Sequence, residues 1–376
     1  MSPPCSGDPP TTSDSPGLDR PRKTRFHARI MHSRLSSCVW ILALASLAGC
    51  GDETSAGSLE VRPSFSYPLD DVLRLHHVQT KATHNSFHLA NPDLSGPAYA
   101  VDHAPLDVQL SKQGVRKFEL DVRHDEGTGE FEVAHVPLLD EGSTCPTLGA
   151  CLGVIKRWSD ARPAHLPISI MLDLKDLAPG PGAVEAYLGE LHEAILGVFP
   201  AARVVTPDEV RGGYTTLGEA VRAEGWPTLG ALRGRVIFML YNLNDGFERA
   251  YSRDGTSLEG RLAFTRTVPT DPHAAWTQYD DPTVTRALIE EAAAANMLVR
   301  TRAEIDLAAA LAGDTTLRDA ALAGPAHFIT TDYPAPVEGS TYHLHIEDGT
   351  PARCNPFTAP RDCTSEALED PLFVRP

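Results

Sequence analysis

The stretch PISIMLDL at residues 167–174 decides the fold class, because AVEAYLGELHEAILGVF follows it at residues 183–199. The first run is short and apolar, which is typical of a buried strand. The second run is longer and has the apolar periodicity of a helix. A strand followed by a helix is the repeating unit of a parallel α/β sheet.

The same alternation extends in both directions along the chain. The predicted strands are HVQTKAT, VRKFELDV, FEVAHV, PISIMLDL, RVIFMLYN, NMLVRT and HFITTD, and the predicted helices are TLGACLGVIKRWSDA, AVEAYLGELHEAILGVF, PTVTRALIEEAAAA and TTLRDAALAG. The segment from His76 to Pro334 has close to the ~250 residues typical of a (β/α)8 barrel. A doubly wound open sheet is the alternative, but no glycine-rich phosphate loop follows the first strand. We therefore predict an α/β fold, a (β/α)8 TIM barrel, over residues 75–338.

The N-terminus has the pattern of an export signal. A basic segment, RPRKTRFHAR, precedes the apolar run CVWILALASLAGC, which is too short to span a bilayer and ends on Cys50. Small residues before a cysteine resemble a bacterial lipobox, so we predict a signal peptide over residues 1–50 and lipidation of Cys50. Because Met31 precedes a signal of ordinary length, residues 1–30 are a candidate untranslated extension. Residues 51–74 are polar and small, which indicates a tether.

Composition restricts the partners of the chain. Hydrophobic residues make up 42% of it, enough for a large core, and the formal net charge is −17. Such an acidic chain has no excess of cations to neutralise nucleic-acid phosphates. We expect no nucleic-acid partner and a monomeric protein.

The cysteines agree with export. Apart from Cys5, Cys38 and Cys50, four remain: Cys145, Cys151, Cys354 and Cys363. Four cysteines in an oxidising compartment indicate two disulfides, and proximity favours pairing within 145–151 and within 354–363, with the other pairings left open. Zinc is the alternative, but there is no CxxC spacing. The proline-rich tail, residues 339–376, is predicted to be an irregular cap stapled by the second pair.

Polar side chains recur where predicted strands end. His84 and Asn85 follow the first strand, Glu119 and Asp121 lie two apart on the second, and His135 follows FEVA. Asp173 lies near the end of the strand at 167–174 and Lys175 follows it, again two apart and therefore on one side. In a parallel barrel these ends share one open face. Oxygen ligands of this kind suit Ca²⁺ or Mg²⁺ better than zinc.

Each signal has an ordinary structural explanation when taken alone. A Glu-x-Asp pair on a strand is usually a solvated face, a single histidine is usually structural, and a lysine is usually exposed. The order of the pairs on successive strands is what indicates a site.

Motifs in this order resemble the calcium-dependent bacterial phosphatidylinositol-specific phospholipase C family. The motifs, which run from about Leu75 to Pro334, are THNSF, ELDV, VAH, CPTLGACL, RWSDARPAHLPI, LDLKD, RTRAEID and FITTDYP. The resemblance implies a TIM barrel of the phospholipase C-like phosphodiesterase type that binds one Ca²⁺.

The resemblance also implies roles for individual residues. The implied metal ligands are Asn85, Glu119, Asp121 and Asp173, where the eukaryotic relatives commonly carry Glu at the position of Asp173. The implied catalytic pair is His84 and His135. Candidate groups for substrate phosphates are Lys175, Arg300 and Arg302, although structural ion pairs explain the two arginines equally well.

The implied reaction is cleavage of phosphatidylinositol at a membrane surface. The inositol 2-hydroxyl attacks phosphorus, a base (Glu119 or a histidine) accepts its proton, His84 stabilises the phosphoryl oxygen and His135 protonates the diacylglycerol oxygen. Alternatives are another metal-dependent phosphodiesterase on the same barrel, such as a glycerophosphodiesterase or a sphingomyelinase-like enzyme, and a non-catalytic headgroup-binding lipoprotein. The expected location is the bacterial cell envelope, as an exported lipoprotein, with secretion as the alternative.

Overall fold

A computed structural model of the chain describes residues 65–241, 246–347 and 351–374. The predicted signal peptide, Cys50 and most of the predicted tether lie outside these residues. No helix within the described ranges is long and apolar enough to cross a bilayer.

Eight parallel strands among the described residues form a nearly closed barrel. They occur in the spatial order β6-β5-β4-β2-β1-β9-β8-β7, with bounds β1 Val78–Thr83, β2 Val115–Asp125, β4 Ile168–Leu174, β5 Val236–Tyr241, β6 Ala263–Thr265, β7 Trp276–Gln278, β8 Leu298–Arg302 and β9 Phe328–Thr331. One bridge, Arg266 to Trp276, links β6 to β7 beyond the end of the sheet order. The predicted barrel is confirmed. Strands β6 and β7 were not predicted, because three residues are too few to show a period.

Two further strands are antiparallel and lie outside the barrel order. Strand β3 (Glu130–Val133) forms a hairpin with β2, and β10 (Ala352–Cys354) pairs with β1. The prediction that FEVAHV forms a barrel strand is therefore wrong. Its exposed–buried alternation is that of a strand with one solvated face.

Helices surround the barrel and bury its outer face. Their bounds are α1 Leu106–Lys112, α2 Leu148–Asp160, α3 Pro181–Leu196, α4 Pro207–Arg211, α5 Leu217–Glu224, α6 Leu229–Leu232, α7 Gly246–Tyr251, α8 Arg286–Ala294, α9 Leu307–Leu311 and α10 Thr316–Leu322. The four predicted helices correspond to α2, α3, α8 and α10. The side chain of Thr147 accepts a hydrogen bond from the Ala150 amide, which explains why α2 begins there.

The two ends of the described chain pack on the barrel more closely than predicted. Leu73 is buried, and Asp70 forms an ion pair with Arg233 at 2.6 Å, so residues 65–74 belong to the folded unit and not to a free tether. In the cap, Glu369 forms a fully buried ion pair with Arg116 at the start of β2. Because β10 also joins the sheet, the barrel unit extends beyond residue 338.

Both favoured disulfides are present. Cys145 is bonded to Cys151, and Cys354 is bonded to Cys363. The first disulfide joins the segment before α2 to the first turn of that helix, and the second lies in the cap.

Candidate active site at the carboxyl end of the barrel

The turn after β1 places two predicted site residues on one cavity. Asn85 has φ of +43°, a left-handed conformation that asparagine adopts more readily than most residues. The next residue, Ser86, exchanges hydrogen bonds with the backbone of Glu119 on β2 (2.8 and 2.9 Å), which ties the turn to the neighbouring strand. His84 and Asn85 thereby line a cavity of about 550 Å³ together with His135 and Arg302.

Three carboxylates lie together beside this cavity. Glu119 and Asp121 are on β2, and the register of the parallel sheet pairs Asp121 with Asp173 on β4. All three are buried, and one oxygen of each lies within 4.8 Å of the others. The parallel sheet therefore brings these three predicted ligands together, as expected for residues near the carboxyl ends of neighbouring strands.

Basic side chains offset the charge of these carboxylates. Lys175 Nζ lies 2.5 Å from Asp173 Oδ2 and 3.2 Å from Asp121 Oδ2. Arg300 Nη2 lies 3.2 Å from Glu119 Oε2, and Lys117 Nζ lies 3.5 Å from the same oxygen. The cluster is thus a compact charge network.

The pKa values in the network diverge. Burial on its own raises the pKa of Glu119, but Arg300, His84 and Lys117 hold that pKa at about 2. Burial raises the pKa of Asp121 well above its usual range; Lys175 opposes this, and Asp173 and Glu119 add to it. Burial likewise raises the pKa of Asp173, against the opposing charge of Lys175. Glu119 is therefore the carboxylate most firmly held in the ionised form.

This donor set fits a hard divalent cation. Oδ1 of Asp121 is buried and accepts no hydrogen bond from the described residues, so this oxygen is available to a ligand. Carboxylate oxygens are the ligands that Ca²⁺ prefers. Asn85 lines the adjoining cavity, and its role as a fourth ligand stays a prediction.

A carboxylate orients His84. Its Nδ1 lies 2.9 Å from Oδ1 of Asp332, the residue after β9, and its Nε2 lies 3.7 Å from Oε1 of Glu119. Since a carboxylate accepts the hydrogen bond, Nδ1 carries the proton and Nε2 is directed toward the acidic cluster. Burial acts to raise the pKa of Asp332, yet His84 and Arg302 hold it well below its usual range.

A second carboxylate orients His135. Nδ1 of His135 lies 2.7 Å from Oδ2 of Asp140, and Nε2 of His88 lies 2.9 Å from the same oxygen. Burial lowers the pKa of His135, and the opposing effect of Asp140 does not offset it. Although His135 does not end a barrel strand, the segment that follows β3 places it on the same cavity as His84.

The three predicted phosphate-binding residues have different surroundings. Arg302 lines the cavity and donates to Asp332 at 3.0 Å. Arg300 is buried between Asp280, Glu119 and Thr330. Lys175 is paired with two predicted metal ligands. Of the three, Arg302 is best placed to meet a ligand in the cavity, and all three roles stay predictions.

Sequence reasoning missed Asp332, Asp140 and His88. Asp332 had a usable signal, because it follows a predicted strand, as His84 does. Asp140 and His88 lie in irregular segments, where no period or spacing marks them.

A parallel barrel with an acidic cluster and two carboxylate-oriented histidines at its carboxyl end has the groups that metal-assisted acid–base catalysis requires. A family model described as Ca²⁺-dependent phosphoinositide phospholipase C matches residues 130–356, more than half of the chain. The chain therefore belongs to this family of Ca²⁺-dependent phospholipase C enzymes. The matched range includes His135 and Asp173, whereas His84, Asn85 and Glu119 precede it.

Solved structures show the same fold. The calcium-dependent phosphoinositol-specific phospholipase C of a Pseudomonas species is 20% identical, with a TM-score of 0.53 over 78% of this chain and 98% of that one. The Ca²⁺-dependent phosphatidylinositol-specific phospholipase C of Streptomyces antibioticus is 21% identical, with a TM-score of 0.51 over 70% of this chain and 95% of that one. Among curated proteins, no sequence matches the chain significantly.

Proposed function

We propose that the protein cleaves phosphatidylinositol to diacylglycerol and inositol 1,2-cyclic phosphate, which it then hydrolyses to inositol 1-phosphate. The observation that carries this proposal is the placement of two histidines, each backed by a carboxylate, on one cavity beside the acidic cluster. Such a pair supplies the acid and the stabilising donor that a phosphodiester displacement requires.

Glu119, Asp121, Asp173 and Asn85 are the residues that would hold Ca²⁺. When bound, the cation supplies positive charge that lowers the pKa of the attacking hydroxyl and neutralises the phosphate. Arg300 and Lys117 keep Glu119 ionised and in position for this role.

The residues of the chain then complete the proton transfers. The inositol 2-hydroxyl forms a bond to phosphorus and gives its proton to a base, either Glu119 or a histidine. His84 donates to the phosphoryl oxygen. As the bond from phosphorus to the glycerol oxygen breaks, His135 Nε2 gives a proton to that oxygen. Water opens the cyclic phosphate in the reverse sense, with acid and base exchanging roles.

Exposed apolar side chains at the same end of the barrel support action at a membrane surface. Leu138 and Leu139 follow the β3 hairpin, and Leu177 follows β4; these side chains are 92%, 62% and 79% exposed. Ile305 follows β8 and lines the cavity itself. With a net charge of −17, the chain gains little from anionic headgroups, so apolar insertion is the route that we propose.

The first experiment is a cleavage assay on phosphatidylinositol with Ca²⁺, with Mg²⁺ and with chelator, followed by phosphorus NMR. We expect a cyclic inositol phosphate signal that needs Ca²⁺ and that is lost in His84→Ala. Turnover of glycerophosphocholine or sphingomyelin in preference to phosphatidylinositol would contradict the proposal and indicate a phosphodiesterase with another substrate. Binding of the lipid without turnover would indicate a headgroup-binding protein.

We also propose export and anchoring through Cys50. The two disulfides support an oxidising compartment. Mass spectrometry of the N-terminal peptide tests the proposal, since lipid on Cys50 in the native protein and its loss in Cys50→Ser are expected. An unprocessed N-terminus would contradict it.

A further inference from the structure

A third histidine contacts the carboxylate that orients His135. His88 is fully buried, three residues beyond Asn85. Its Nε2 lies 2.9 Å from Asp140 Oδ2, and its Nδ1 lies 2.7 Å from the carbonyl oxygen of Val101. Both ring nitrogens of His88 therefore meet oxygen atoms, one on each side.

Counting hydrogens shows how this contact works. The Val101 carbonyl only accepts, so His88 Nδ1 carries a proton. The contact between Nε2 and Asp140 then needs one more proton, which lies either on the imidazole or on the carboxyl group. In both arrangements His88 and Asp140 together carry no net charge, and one hydrogen bond joins His88 Nε2 and Asp140 Oδ2.

The carboxylate of Asp140 depends on this contact for its position. Asp140 is fully buried, and its Oδ1 has no hydrogen-bond partner among the described residues. Its side chain is therefore held through Oδ2 alone, by His88 and His135. Without His88, the carboxylate would be held only by the histidine that it must orient.

We propose that His88 is a positioning residue that acts through Asp140 to hold His135 for proton donation to the leaving group. This inference rests on the proposed function, in which His135 is the acid. His88 thereby becomes the third residue of a hydrogen-bonded series with Asp140 and His135, and it comes from a different segment of the chain.

Two substitutions separate the two contacts of His88. In His88→Gln the amide nitrogen reaches the position of Nε2 and keeps a donor to Asp140. In His88→Asn the amide nitrogen ends near the position of Nδ1, keeps the contact with Val101 and does not reach Asp140. His165→Asn is the control, because His165 is equally buried but contacts Ser159 and Leu166, away from the cavity.

Each variant is assayed on phosphatidylinositol and on inositol 4-nitrophenyl phosphate, whose nitrophenolate leaves without a proton. We expect His88→Asn to lower kcat on the lipid about 10²-fold, within the range of acid catalysis, and to leave kcat on the nitrophenyl substrate within about threefold. His88→Gln should recover most of the loss, and His165→Asn should change neither rate. Equal losses on both substrates, or no loss on either, would overturn the proposal.

Nitrogen-15 NMR of the histidine rings gives a readout that needs no turnover. We expect a slowly exchanging Nδ1 proton on His135 in the wild type and in His88→Gln, and rapid exchange in His88→Asn. An unchanged signal in His88→Asn would refute the positioning role. If the wild type has this signal but does not cleave phosphatidylinositol, the proposed function fails and the positioning role stands.

Discussion

The two histidine–carboxylate pairs have nearly the same geometry and are built in different ways. His84 and Asp332 follow adjacent barrel strands, and the His84 amide donates to Thr331 O at 3.1 Å, so the sheet itself sets their separation. His135 and Asp140 lie within one short segment, closed by reciprocal backbone bonds between Val136 and Asp140 of 3.0 and 2.8 Å. The Nδ1 to carboxylate distances are 2.9 and 2.7 Å.

The comparison shows two sources of rigidity for one kind of site. Parallel strands fix the first pair through long-range hydrogen bonds. The second pair relies on local contacts: Thr144 donates to Phe87 O at 2.8 Å, and the disulfide of Cys145 and Cys151 closes the segment before α2. Each pair can therefore be disturbed separately.

The largest expected effect separates the two histidines. Removal of either imidazole should lower kcat on phosphatidylinositol by about 10²–10⁴-fold. On inositol 4-nitrophenyl phosphate, the kcat of His84→Ala should fall as much as it does on phosphatidylinositol, because the phosphoryl oxygen still gains charge. His135→Ala should lose little on this substrate, because nitrophenolate needs no proton. Steady-state kinetics on both substrates test this, and parallel losses for His135→Ala would show that it is not the acid.

The next effect concerns the carboxylate of the strand-built pair. The carboxylate of Asp332 only accepts, so it holds the proton on Nδ1 of His84. In Asp332→Asn the amide can donate as well as accept, so it no longer favours the proton on that nitrogen. We expect a loss of about 10²-fold in kcat on both substrates, at the lower end of the loss for the histidine itself. Asp281→Asn, a half-buried carboxylate outside the cavity, is the control. A variant that kept wild-type kcat would show that Asp332 does not orient the ring.

A third effect is a difference in pH dependence. Since burial lowers the pKa of His135, its protonated form is lost as pH rises through a value below the ordinary ~6.5. The kcat for phosphatidylinositol should therefore fall about tenfold per pH unit above that value. The kcat for the nitrophenyl substrate should not show this decrease. The measurement is kcat against pH for both substrates at saturating Ca²⁺. The same decrease with both substrates would show that a group other than His135 titrates.

The smallest effect compares the two disulfides. Replacing either cysteine pair by serine should lower the free energy of unfolding by about 2–3 kcal/mol, because both bonds close short loops. Only the loss of the Cys145–Cys151 bond should also lower kcat, by a few-fold, since this bond lies beside the segment of His135. Chemical denaturation and kinetics of both double variants check this. Equal kcat values in the two variants would show that the segment of His135 and Asp140 keeps its geometry without the disulfide.

The sequence identified the strand-built part of the site well. Glu119, Asp121 and Asp173 were predicted from their place near strand ends, and the structure brings them together. The loop-built part was predicted only in part. His135 was found, but on a supposed barrel strand, and its partners Asp140 and His88 were not found. Local backbone turns leave no periodic signal, so their contacts were invisible in the sequence.

The sequence by itself determined the barrel, the family and the favoured pairing of cysteines close along the chain, because strand and helix periods, ordered motifs and short spacings are local properties. The tertiary structure alone decided which charges meet. It directed Lys175 toward the acidic cluster, enclosed Arg300 between two carboxylates and placed one carboxyl oxygen between His88 and His135. These contacts join residues through packing across the barrel and its loops, where distance along the chain no longer predicts distance in space.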